Sequence, residues 1–184
     1  MTILFLATEL VTDTMFGTPA YLVAAAAANS SSPDAGDVYF YQFTFAPQDD
    51  DGKGAFHGAE MPYVFNSSLP PHDDHQHENA MFPMVNQELA DTMGTYWTNF
   101  AKTGNPNEPN EWFDECEEEV CEVLPTWPSF DDGSGSWQVF GDTVGSEPIP
   151  ETTLQIYEWG EDIYPTNCIG GMLAGNNTCW SNTL

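Results

Sequence analysis

Val38-Tyr39-Phe40-Tyr41-Gln42-Phe43-Thr44-Phe45 is the stretch that decides the fold. Apart from Gln42, every residue in it is β-branched or aromatic, the types that fit a pleated surface. The run does not alternate with polar residues. It therefore suits a strand covered on both faces, as in a parallel sheet flanked by helices. Pro47 closes it, because proline cannot donate to a ladder.

Upstream, residues 8–29 read as helical. Thr18-Pro19 puts proline at an early helical position, and Ala20 to Ala28 has high helix propensity. Asn29 to Asp37 is rich in Ser, Pro, Asp and Gly and reads as a loop. Downstream, residues 46–85 are mostly loop, with a short turn at Glu60 to Phe65. Asn86 to Thr103 is the strongest helix: Leu89, Met93, Tyr96, Trp97 and Phe100 recur at helical spacing and predict a core stripe. Gly104-Asn105-Pro106 stops it. Residues 107–123 form an acidic loop. Apolar packing resumes at Trp127-Pro128-Ser129-Phe130, a hairpin turn is expected at Gly133 to Ser136, and a short strand at Trp137 to Phe140. Residues 145–184 read as an irregular acidic tail. Helices around a buried strand give an α/β class.

The 184 residues carry 29 acidic side chains against Lys53 and Lys102, a net charge of −27. Phosphate contacts with nucleic acid are excluded, because there is no basic patch to displace counterions. Docking on an anionic membrane fails for the same reason. Yet 41% of residues are hydrophobic and 14% aromatic, which is too apolar for a disordered acidic segment. No run approaches the ~20 apolar residues of a membrane span. The start, Ile3 to Leu6, lacks the basic flank of a signal peptide. Cys116, Cys121, Cys168 and Cys179 pair most simply as neighbours, one of three connectivities. With N-x-[ST] sequons at Asn29, Asn66 and Asn176, they point to a secreted, extracellular or lumenal glycoprotein.

The candidate chemistry lies in the loop after the strand, Gly54-Ala55-Phe56-His57-Gly58-Ala59-Glu60-Met61-Pro62-Tyr63-Val64-Phe65. Loops beyond the carboxyl ends of strands are where open α/β sheets place catalytic groups. An imidazole there suits general-base work. Gly58 frees the backbone to turn beneath it. Three segments, in order, extend the pattern. Thr12-Asp13-Thr14-Met15-Phe16-Gly17-Thr18-Pro19 precedes the alanine helix. The aromatic strand leads to His57-Gly58-Ala59-Glu60. Trp97-Thr98-Asn99-Phe100-Ala101-Lys102-Thr103-Gly104-Asn105-Pro106-Asn107 leads to Trp127-Pro128.

In these segments the chain resembles the carboxylesterase type B, cholinesterase-like branch of the α/β-hydrolases. The resemblance implies the C-terminal portion of that fold over residues 1–144, with an incomplete sheet, covering helices and long loops. It assigns His57 as the histidine of a Ser–Glu/Asp–His triad, Glu60 and Gly58 as supporting groups, and a small-molecule ester as substrate, with no cofactor. In the family the triad runs Ser, then acid, then His. This chain has no G-x-S-x-G elbow and no oxyanion glycines. Gly133-Ser134-Gly135-Ser136 does not fit the elbow and follows the histidine. Glu9 and Asp13 precede His57, but Asp13 belongs to the segment before Pro19, which reads as structural. The expectation is a histidine-bearing segment that is inactive alone and needs the upstream half of the domain. The competing expectation is a non-catalytic cholinesterase-like adhesion or binding module.

Two further clusters carry weaker signals. His72, His75 and His77, with Asp73, Asp74 and Glu78, offer ligand types suited to Zn²⁺, Ni²⁺ or Cu²⁺, but at no standard spacing. Asp49-Asp50-Asp51-Gly52 lacks the rest of a calcium loop. Both read as solvated loops.

Overall fold

The computed structural model describes residues 10–30, 32, 35–46, 54–67, 85–108, 124–130 and 135–163. In chain order the elements are a π-helical turn Asp13–Gly17, α1 (Thr18–Ala28), β1 (Tyr41–Phe43), α2 (Met61–Val64), α3 (Gln87–Thr103), β2 (Ser136–Phe140), β3 (Val144–Pro148) and α4 (Glu151–Ile163). They fall into two compact units. One comprises the chain up to Phe40, Pro128–Trp137 and the chain from Glu147; the other comprises Tyr41–Trp127 and Gln138–Ser146.

In the first unit, residues 10–28 form one continuous helix with a wide turn inside it. Pro19 explains the widening. It lacks an N–H, and its ring collides with the carbonyl four residues back. The helix instead closes with a longer reach: Thr18 donates to the Asp13 carbonyl from its N–H and from Oγ1, the latter at 2.9 Å. Tyr21, Leu22, Ala24, Ala25 and Ala26 are the buried side of α1. Tyr21 meets Phe130 at 5.5 Å and Tyr157 at 4.9 Å between ring centroids, and Phe40 stacks near Phe130 and Trp137.

Residues 151–163 correct the expected irregular tail: they are a 13-residue helix. Its buried positions are Thr153, Tyr157 and Gly160, at helical spacing. The periodicity escapes a hydrophobicity reading because two of the three are not hydrophobic. Thr153 Oγ1 donates to Asp13 Oδ2 at 3.3 Å. Asp13 is thus structural, as expected. Burial first, then the charge of Asp13 and the neighbouring Tyr21, push the Tyr157 hydroxyl well above its ordinary pKa. The approach of α4 to the upstream helix depends on glycine. A Cβ at Gly160 would sit 2.1 Å from Thr18 Cγ2, and one at Gly17 would sit 2.4 Å from the Tyr157 hydroxyl. Thr18 cannot yield, because it is β-branched, buried and bonded to Asp13. Gly160→Ala is therefore expected to lose about 1–2 kcal/mol, overpacking outweighing the gain in helix propensity. In a Thr18→Ser background the clashing methyl is gone, and the same substitution should be neutral or stabilising. Urea unfolding of the four variants checks this.

In the second unit, β1 and β2 pair in parallel, with Tyr41 opposite Gln138, Gln42 opposite Val139 and Phe43 opposite Phe140. β3 lies on the other side of β2. Only three residues link β2 to β3, so that pair is antiparallel. The turn is Gly141–Thr143, where Gly141 N–H donates to Thr143 O at 3.2 Å; Gly133 and Ser134 of the expected hairpin turn lie outside the described residues. β1 is shorter than the expected Val38 to Phe45 and only half-buried, not covered on both faces. Among the described residues it has a strand neighbour on one side only, and three register pairs set its length.

α3 begins where expected. Asn86 caps it, its Oδ1 accepting from Leu89 N–H at 3.1 Å, and Gly104 ends it at φ 80°. Leu89, Met93 and Tyr96 are buried, but Phe100 is 46% exposed, against the expected stripe. The chain turns back at Gly104 on the Asn99 side. Asn99 Nδ2 donates to Pro106 O and is buried in its place. The Asn105-Pro106-Asn107 segment then holds Trp127. Asn107 Nδ2 donates to Trp127 O and Trp127 N–H donates to Asn107 Oδ1, both at 2.7 Å, an amide imitating a strand partner. Asn107→Ala removes both bonds around a buried tryptophan. It is expected to lower stability by about 2–3 kcal/mol, read from the denaturation midpoint.

Candidate functional site

The chain leaves the carboxyl end of β1 at Phe43, and the segment from Gly54 to Ser67 follows. Ala59 N–H donates to Phe56 O at 2.9 Å, closing a tight turn with His57 and Gly58 at its centre. Gly58 has φ 84°, a left-handed conformation that a side chain would resist. Space is not the constraint, because a Cβ there would meet only Met61 Sδ at 3.6 Å. The turn holds the His57 side chain out on the surface. Phe56, Met61 and Phe65 are exposed along the same segment.

Glu60 stands at the N-terminal boundary of α2, and its side chain makes no capping hydrogen bond. Burial, and after it the Glu60 charge, hold the Tyr41 hydroxyl above its ordinary pKa. Tyr41 gave no polar signal in the sequence, where it reads as one aromatic of a β-run. Tyr63 of α2 attaches the segment to the strand, with its ring 5.2 Å from Phe43 and 5.7 Å from Phe45.

The far end of the segment is tied to α3 by amides. Asn66 has φ 44°, a conformation asparagine tolerates better than most residues. Its Nδ2 donates to Asp91 Oδ1 at 2.8 Å and its Oδ1 accepts from Gln87 Nε2 at 2.7 Å, while Gln87 also reaches Asp91. Sequence reading singled out Asn66 only as a sequon. A polar residue at a helix end with Gln and Asp at i, i+4 in the next helix was the available clue. Asn29, the other described sequon, donates from Nδ2 to Ala25 O.

The structure therefore places His57, Gly58 and Glu60 on one turn at the end of a parallel strand. An exposed imidazole so held can exchange a proton with a group presented to it. Asp13 lies in the other unit. Glu9, Asp49 to Asp51, the His72, His75 and His77 cluster, Ser134, all four cysteines and Asn176 lie outside the described residues. Among the described residues no group of three or more His, Cys, Asp or Glu could hold a metal ion, and no helix is long and apolar enough to cross a membrane.

Residues 5–146 match the model of the Carboxylesterase family. Human cocaine esterase is 34% identical over 128 residues, covering 67% of this chain and 19% of that protein. Human neuroligin-2 is 39% identical over 107 residues, covering 54% of this chain and 12% of that protein. Among solved structures, a PNB esterase superposes with a TM-score of 0.57 at 26% identity, covering 81% of this chain and 26% of the esterase. A second, described as a thermophylic PNB esterase, gives 0.56 at 27% identity. The chain thus spans between about an eighth and a quarter of the length of these relatives, whose esterase structures have the α/β-hydrolase fold.

Proposed function

Because this chain belongs to the carboxylesterase family, we propose that His57 is the general base of a carboxylic ester hydrolase whose serine and triad acid come from outside these 184 residues. The observation that carries the reading is the surface imidazole on a glycine-enabled turn beyond the carboxyl end of β1. In this role His57 takes the proton from the serine hydroxyl as it attacks the ester carbonyl. It then returns that proton to the departing alcohol. Glu60, two residues beyond Gly58 on the same turn, is a supporting group rather than one that touches substrate. The exposed Phe56, Met61 and Phe65 of the same segment suit the hydrocarbon parts of a small ester. Secretion, glycosylation at Asn29 or Asn66, and pairing of the cysteines belong to the same proposal; nucleic acid and anionic membranes do not fit a net charge of −27.

The experiment is a chimera in which this chain replaces the matching quarter of the PNB esterase, assayed on p-nitrophenyl esters with and without His57→Ala. A second reading, a non-catalytic binding module, draws on the higher identity to neuroligin-2 than to cocaine esterase. A folded chimera with no hydrolysis, and none lost on His57→Ala, favours that reading.

A further inference from the structure

The described residues include three methionines, Met15, Met61 and Met93, and their surroundings differ. Met93 is fully buried on α3. Met15 is 66% exposed but belongs to the other unit. Met61 is 51% exposed and opens α2, three residues after Gly58. Its N–H donates to Gly58 O at 3.2 Å. Its Sδ lies 3.6 Å from the point that a Cβ on Gly58 would occupy. Gly58 holds φ 84° beside His57 and has no side chain of its own to pack there. The thioether therefore covers the side of the histidine turn that the glycine leaves bare. A thioether is apolar and polarizable, and it is also the part of a methionine that oxidants attack. At Met61 one sulfur is both within reach of solvent and in contact with the turn.

We propose that Met61 is an oxidation site, where a peroxide converts the thioether to a sulfoxide and so loosens the turn that holds His57. The sulfur lone pair attacks one peroxide oxygen. The O–O bond breaks, an S–O bond forms, and hydrogen peroxide leaves as water. The sulfur is oxidised by two electrons and the peroxide is reduced by two. The product is polar, and a sulfoxide reductase can return it to the thioether. The new oxygen is better solvated in water than against Gly58, and the exposed half of the side chain gives it that route. The sulfur then leaves the glycine. The bond from Met61 N–H to Gly58 O is main-chain and stays, so the turn is loosened rather than undone. Met61 is thus a positioning residue that acts on His57 through Gly58. The effect on ester hydrolysis rests on the proposed function: a displaced imidazole no longer meets the serine hydroxyl in line, and small misplacements of a reacting group are costly.

The 184-residue chain is titrated with hydrogen peroxide, and sulfoxide at each methionine is read by peptide mass spectrometry. Met61 is expected to oxidise at least about tenfold faster than the buried Met93. The imidazole Cε1–H resonance of His57, assigned by its loss in His57→Ala, is followed in parallel. It should shift as Met61 oxidises and return on treatment with methionine sulfoxide reductase. It should stay in place in Met61→Leu, which keeps an apolar side chain of similar volume that peroxide does not oxidise. Oxidation of Met61 no faster than Met93 overturns the proposal. So does a His57 resonance that ignores the oxidation or moves equally in Met61→Leu. The chimera with the PNB esterase reads the effect on hydrolysis, each protein compared with its own untreated rate. Peroxide should lower kcat/KM by at least about tenfold, reversibly by the reductase, and Met61→Leu should abolish that reversible loss. An active chimera with no reversible loss, or with equal loss in Met61→Leu, overturns the control of hydrolysis. A chimera without hydrolysis, in a chain whose His57 resonance follows Met61 oxidation, supports the oxidation site and counts against the catalytic reading.

Discussion

His57→Ala is expected to lower kcat/KM by at least about a thousandfold in a PNB esterase carrying this chain in place of its matching quarter. A serine hydroxyl is a weak nucleophile until a neighbouring base takes its proton, and the leaving alkoxide must be protonated before it departs. One imidazole does both, and alanine does neither. The loss should appear in kcat more than in KM, because the histidine acts on the reacting atoms rather than on substrate binding. His57 is surface-exposed on its turn, so its removal should leave the fold intact. The thermal midpoint of the variant, measured beside its kinetics, checks that. A folded variant with undiminished turnover would remove His57 from the mechanism.

Phe140→Ala is expected to lower stability by about 3–5 kcal/mol, the range for emptying a buried phenylalanine site. Phe140 is fully buried at the end of β2, and its ring meets Tyr41, Tyr96, Trp97 and Trp127 at 5.4–5.9 Å. It joins β1, α3 and the Trp127 segment at one point. Tyr96 helps to close that cluster by donating its hydroxyl to Pro125 O, and burial pushes its pKa up to about 12. The comparison is Phe100→Ala. Phe100 belongs to the same helix that supplies Tyr96 and Trp97, but it is 46% exposed and should cost about 0.5 kcal/mol. Urea unfolding of the two variants separates them by several kcal/mol. Equal losses would mean that the aromatic cluster around Phe140 does not hold this unit together.

These contrasts show how much of the molecule could be read in its residues. α3 was legible at both ends, because Asn86 and Gly104 act through local backbone chemistry. The helix of residues 10–28 was legible from alanine content, but its wide turn was not, although Pro19 causes it. The strand was legible in kind and overlong in extent, since pairing partners rather than propensity set where β1 ends. α4 was invisible, because its packed face is Thr153, Tyr157 and Gly160 and its contact needs the absence of a side chain rather than a large apolar one. At the candidate site, His57 and Gly58 could be found from sequence. Tyr41 could not, because its relation to Glu60 exists only once β1 and the turn are brought together.

In the proposed function, His57 is a triad histidine whose serine lies outside these 184 residues. The direct measurement is hydrolysis of p-nitrophenyl acetate by the purified 184-residue chain, beside its His57→Ala variant, at equal concentration. The expected result is the same rate for both, equal to that of buffer. Turnover by the chain alone that His57→Ala abolishes would contradict the claim, because it would place a working nucleophile among these residues.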